Sequence, residues 1–122
     1  MRLVEIMKVH AVIATPESTI SEIVDLMDLY QISHLPIVDN LLSPLGIVTI
    51  DRIYQTLQSG SGIRDLGDLM TNQHFSLDEN RSTDEAEQML AENPLRRLCV
   101  TSKGRLVGTV GWVELCQFRL RQ

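Results

Sequence analysis

The chain writes one eight-residue phrase twice. Residues 46–53 read GIVTIDRI and residues 108–115 read GTVGWVEL. Each has a glycine, a branched apolar stretch, a small or polar residue in fourth place and a charge just before a final Ile or Leu. The echo runs the length of the chain: VEIM ends at Met7 and GDLM at Met70, and the same offset carries Glu22 onto Glu85 and Leu35 onto Leu98. The quoted phrases are one residue closer together than that offset, because DNLLSP (39–44) tightens to SKGR (102–105). Such a repeat constrains the fold more than any other feature. A unit of about 60 residues buries little surface alone and is marginal as a domain, so the economical solution is two copies that share a core.

Local signals recur in step. Thr19-Ile20-Ser21-Glu22 and Ser82-Thr83-Asp84-Glu85 are capping boxes, in which a hydroxyl and a carboxylate satisfy orphan amides at a helix start. The first predicted helix buries Ile20, Ile23, Met27 and Tyr30, at helical spacing, and the second buries Ala86, Met89 and Leu90 and stops before Pro94. Two apolar runs follow each helix, LPIV then LGIVTI, and RLCV then RLVGTV, and read as strands. Short helices over 51–58 and 112–120 close the copies. The predicted fold is α/β (α+β): two β-α-β-β-α repeats, residues 1–58 and 66–122, joined by a linker at 59–65 and packed sheet to sheet about a pseudo-two-fold axis. Met7, Met27, Met70 and Met89 fall on core positions.

Composition removes several function classes. Hydrophobic residues make up 43% of the 122 and aromatics only 4%, which predicts a folded, aliphatic core. No apolar run reaches the roughly 20 residues needed to span a bilayer, and the N-terminus, broken by Glu5, Lys8 and His10, has no secretory h-region; a cytoplasmic location is expected. The net charge of −5 and the absence of a Lys/Arg cluster with interleaved aromatics disfavour nucleic acid. Cys99 and Cys116 are too few and too far apart for a metal or redox pair and are expected to be buried. The basic tail Arg119-Leu120-Arg121 is expected to complement a helix C-terminus. GSGIRDLG contains GxG, but it follows a helix and precedes a turn, so it is no dinucleotide fingerprint. No Ser/His/Asp or Cys/His set has a recognisable spacing, and an enzyme is not expected.

The element order, the (I/L)M at each start, ISHLPIVD (32–39) and GIVT (46–49) together resemble a tandem pair of CBS domains, a Bateman module, over essentially the whole chain. The second copy, with LRRLCVTS and no proline, is the more eroded. The resemblance implies a non-catalytic sensor that binds AMP, ADP, ATP or S-adenosylmethionine between the repeats and acts on a partner protein or a fused domain. It also implies dimerisation through helices, and a homodimer is expected because Trp112, Leu115, Cys116 and Phe118 ring the last helix. The alternative is a pair that binds no ligand and serves self-association or partner docking.

By the same resemblance, a ribose motif has a hydroxyl residue followed three places later by Asp. The first copy has Thr49 but Arg52 in the Asp place, with Asp51 one residue early. A one-residue slip turns a side chain about 100° on a helix, and helix N-capping is the simpler expectation for Asp51. Arg52 cannot accept ribose hydroxyls and is left for a phosphate or the solvated face. The second copy lacks the hydroxyl, at Gly111, but keeps a carboxylate, Glu114. His34 and Arg97 share a repeat position that in the family faces phosphates, and a phosphate beside His34 would raise its pKa. Gly46 and Gly108 allow a close backbone approach, Pro36 lies in the LPIV strand, and backbone contacts to adenine are expected from Val12-Ile13-Ala14 and Phe75-Ser76-Leu77, with Ile13 and Ser76 central. The simpler reading of these segments is alternating residues of core strands. Arg64 and Arg96 are weaker candidates, and His10 and His74 are expected at strand entries.

Overall fold

The structure, a computed structural model, describes residues 1–9, 12–60, 66–70, 75–92 and 97–122. His10, Arg64, His74, Pro94 and Arg96 lie outside the described residues, as does most of the 59–65 linker. The first copy contains α1 (Ile20–Tyr30), β1 (His34–Val38), β2 (Pro44–Thr49) and α2 (Ile50–Ser59). The second contains β3 (Ser76–Asp78), α3 (Thr83–Glu92), β4 (Arg97–Ser102), β5 (Arg105–Gly111) and α4 (Trp112–Leu120). A 3-10 turn opens each copy, at Leu3–Glu5 and Leu66–Asp68.

Both halves form a small sheet with the same register. β1 runs antiparallel to β2, β4 antiparallel to β5, and β3 lies parallel to β4. The counterpart of β3 in the first copy is reduced to Ala14. Its N–H donates to the Pro36 carbonyl (3.0 Å) and its carbonyl accepts from the Val38 N–H (2.9 Å), one parallel bridge to Ile37. The strand expected over 12–14 is thus a single ladder position, and Val12 and Ile13 are only half-buried.

The lost residue is a difference between turns. Lys103 and Gly104 both have positive φ (53° and 80°) and make the two-residue link from β4 to β5, the geometry that suits strand twist and favours glycine in second place. The longer β1–β2 loop is held by Asp39, whose Oδ1 accepts from the N–H groups of Leu41 and Ser43, both at 2.9 Å. That loop reaches the other half, where the Leu42 carbonyl accepts from the Leu106 N–H at 2.8 Å.

The two halves exchange their opening turns. Leu3, fully buried, packs with Leu98, Val100, Val110 and Leu115 of the second copy, while Leu66 and Leu69 pack with Leu35, Ile37 and Val48 of the first. Backbone bonds fix the first exchange: Leu3 N–H donates to Arg81 O (2.9 Å), Val4 N–H to Glu79 O (3.0 Å), and Thr83 N–H to Met1 O (2.9 Å). Ile47 of β2 also enters the second cluster. Burial of apolar surface is the main stabilising term, so neither copy has a complete core without its neighbour.

The helices differ from expectation in two places. Tyr30 is exposed, not buried, because α1 ends there and Gln31 turns left-handed (φ 53°). Cys116 is exposed beside buried Leu115, whereas Cys99 is fully buried and desolvation pushes its thiol up to about 12. Arg119 stands in the last turn of α4 and donates to both oxygens of Glu87 on α3, at 2.7 and 2.9 Å. These hydrogen bonds hold the Glu87 carboxyl below its ordinary range. A lowered folded-state value means that this tie stabilises the fold at neutral pH and fades as pH falls through that value.

Candidate functional site

The two copies of the repeated phrase sit at equivalent places and solve one local problem differently. Thr49 lies opposite His34 in the first sheet, and Gly111 lies opposite Arg97 in the second. Each begins a helix whose first amides need acceptors. Thr49 supplies one through Oγ1, which accepts the Arg52 N–H at 3.2 Å. The helix starts at Ile50, a residue earlier than expected, so Thr49 rather than Asp51 is the N-cap, and Asp51 stands exposed in the first turn.

Gly111 has no side chain to offer. Glu114 folds back instead and accepts the Gly111 N–H at 2.7 Å. Its carboxylate is also held by the Arg97 guanidinium in an ion pair with both side chains nearly buried. Arg97 is pinned a second time: Nε donates to Thr109 Oγ1 (3.1 Å) and Nη2 to the Thr109 carbonyl (3.3 Å). Charge-assisted bonds of this kind are the strong ones.

Between the halves lies a cleft of about 940 Å3, at the upper end of the usual range for small-molecule sites. One wall comes from the first copy: Val12 and Ile13, then Tyr30 to His34 at the end of α1 and the start of β1, and Pro36. Lys8 and Val9 of the exchanged N-terminal segment form a rim, and Arg97 and Thr109 form the second copy's wall. Among the described residues lining it, three are basic in type and none is a carboxylate. Apolar side chains and backbone amides beside a basic end suit a ligand with an apolar ring and an anionic group.

Of the residues singled out in the sequence, the cleft gathers Ile13, His34, Pro36 and Arg97. The others are elsewhere. Thr49 is half-buried at the helix cap, Arg52 is exposed on α2, and Ser76 is half-buried in β3. Glu114 is turned away from the cleft into a second hollow of about 390 Å3, walled by Met1, Ile6 and Phe118. Gly46 is buried opposite Ile37 in the first sheet. Gly108 does meet a closely approaching backbone, but it belongs to this chain: an added Cβ would lie 2.8 Å from Lys8 O and 2.7 Å from Met7 Sδ. Lys8, Tyr30 and Thr109 were missed. Thr109 had a signal, a hydroxyl inside an otherwise apolar strand where the first copy has Ile47.

The doubled sheet-and-helix architecture, with a cleft between its halves, defines a two-repeat α/β fold. The CBS domain family matches residues 3–59 and 66–120, and the chain belongs to that family as a tandem pair. The inosine-5'-monophosphate dehydrogenase of Methanocaldococcus jannaschii is 28% identical over 107 residues, 87% of this chain; the match spans only 21% of that enzyme's length. The CBS domain pair of MJ0100, solved with 5'-methylthioadenosine and S-adenosyl-L-methionine, superposes with a TM-score of 0.86 at 21% identity, covering all of this chain and 98% of that one. CBSX2, a protein of Arabidopsis thaliana solved with AMP, gives 0.81 at 22% identity over 98% of this chain and 96% of that one. At such identities the structural likeness establishes the fold. No described helix is long and apolar enough to cross a membrane.

Proposed function

We propose that the chain is a regulatory module that binds an adenosine-containing ligand, AMP, ADP, ATP or S-adenosylmethionine, in the cleft between the repeats and passes its occupancy to a partner protein or a fused domain. The observation that carries this is the convergence of His34 and Arg97, one from each copy, on a single cleft with no carboxylate among its described lining residues. The adenine ring lies against Val12 and Ile13, whose backbone groups read its edge, and the charged end of the ligand points to His34 and Arg97. The adenosine compounds found with MJ0100 and CBSX2 support the same ligand class.

A thermal-shift panel of AMP, ADP, ATP, S-adenosylmethionine and guanosine monophosphate tests the reading. A specific ligand at 100 times its dissociation constant stabilises the fold by about 2.7 kcal/mol, roughly 10 °C in Tm for a chain of this size. No shift with any adenine compound, confirmed by calorimetry, contradicts it.

One observation favours the alternative of a pair without ligand. The two carboxylates at the ribose-motif positions, Asp51 and Glu114, do not line the cleft. Self-association is proposed under either reading, because Tyr54, Leu57, Trp112, Val113 and Leu120 leave apolar surface exposed on α2 and α4. Light scattering on a sizing column should give twice the chain mass at tens of micromolar; a monomer there removes the dimer.

A further inference from the structure

The ion pair between Arg97 and Glu114 stands between the two hollows. Arg97 lines the inter-repeat cleft, and Glu114 lines the smaller hollow formed by the N-terminal turn and α4. The pair is therefore the wall they share. From the cleft, Arg97 is the second copy's cation, but its charge is already paired: Nη2 is shared between the Glu114 carboxylate and the Thr109 carbonyl, and Nε donates to Thr109 Oγ1. Glu114 is in turn the residue that accepts the Gly111 amide and so closes the start of α4.

We propose that Glu114 is an internal competitor for the cleft's anion site, and that an anionic ligand opens the Arg97–Glu114 pair and thereby loosens the start of α4. This rests on the reading that the cleft is a ligand site and adds its selectivity and its outlet. A ligand without negative charge leaves the pair closed and gains nothing from Arg97. A phosphate or pyrophosphate group offers the guanidinium an acceptor of the same geometry and higher charge. When Arg97 turns to it, Glu114 loses its counter-charge in the wall of the second hollow, which Phe118 also lines. Ligand charge is in this way converted into a change on the surface of the last helix. Linkage requires the reverse too: whatever holds Glu114 against α4 weakens anion binding in the cleft.

Glu114→Gln tests this, because glutamine keeps an oxygen for the Gly111 amide and still serves in a capping box, while the competing charge is gone. Calorimetry with ATP, adenosine and inorganic pyrophosphate is run on the wild-type chain and on the variant. Expected is a roughly tenfold tightening of ATP and of pyrophosphate, the size of one charge-assisted hydrogen bond, with adenosine unchanged. Adding Arg97→Gln to the variant should remove that gain. The chain's one tryptophan, Trp112, is the first residue of α4, so pyrophosphate should shift its emission in the wild type and far less in Glu114→Gln, where the pair is already open.

Equal affinities in wild type and variant, or a gain that persists without Arg97, overturn the competitor. Failure of wild type and variant alike to bind pyrophosphate or ATP overturns it too. Because pyrophosphate has no adenosine, a chain that ignores adenosine yet binds pyrophosphate tenfold better as Glu114→Gln keeps the latch and rejects the adenosine reading. The opposite pattern, adenosine bound with no effect of Glu114→Gln, keeps that reading and rejects the latch.

Discussion

Leu3→Ala is expected to lower the unfolding free energy by about 3 kcal/mol, within the roughly 2–5 kcal/mol range for a leucine emptied from a packed core. Tm should fall by roughly 12 °C. The size of the effect is unusual for the third residue of a chain, since termini commonly tolerate change. Leu3 is fully buried among Leu98, Val100, Val110 and Leu115, and the turn carrying it is tied to the second copy by backbone bonds to Glu79 and Arg81. The cavity left by the alanine cannot collapse easily, because the sheet on one side and α4 on the other are both fixed. Val9→Ala is the control: 57% exposed, it should stay within about 0.5 kcal/mol of wild type. Urea denaturation of both variants decides the matter, and a Leu3→Ala loss no larger than that of Val9→Ala would mean that the exchanged turn is not part of the core.

Gly108→Val is expected to be at least as damaging. Its first methyl-bearing carbon would sit 2.8 Å from the Lys8 carbonyl and 2.7 Å from Met7 Sδ. The sulfur is at the end of a flexible side chain and can move aside; the carbonyl is backbone and is held in place. Lys8 N–H donates to Thr109 O at 2.8 Å, and Thr109 N–H donates to Lys8 O at 2.9 Å. Overpacking of about 1–3 kcal/mol and two bonds at about 1 kcal/mol each give a loss of roughly 3 kcal/mol or more. Because Lys8 and Val9 form the rim of the cleft, ligand affinity should fall with stability. Met7→Ala added to Gly108→Val should recover only part of the loss. Full recovery would show that the clash is with the thioether alone and that the backbone approach is not what requires glycine.

The duplicated architecture was legible because it is written in local chemistry. Both capping boxes, the paired apolar runs and the turn chemistry of SKGR act within a few residues, and offsets between copies report them directly. The exchange of opening turns was not legible. VEIM and GDLM repeat whichever half they pack against, and only the buried position of Leu3 among residues of the second copy decides it. Half-burial misled in a similar way at Tyr30 and Cys116, where the helical period is right but the helix end and the outer face leave the side chain in solvent.

Of the candidate site residues, the basic ones at strand entries line the cleft and those at helix starts do not. His34 and Arg97 reach the cleft because the register of each sheet places them at its mouth. The residues around Thr49 and Gly111 carry ligand-like chemistry that the helix ends use first. Thr49 caps α2, and Glu114 caps α4 and binds Arg97. Sequence shows which groups can accept a hydrogen bond, but the competition for them is settled by which donor is nearest in the fold.

A crystal structure of the chain grown with whichever adenine compound raises Tm most addresses the central claim directly. The account places the adenine against Val12 and Ile13 and the ligand's charged end within hydrogen-bonding distance of His34 or Arg97. An adenosine group bound on the outer face of the helices, with the space between the two sheets left unfilled, would contradict it.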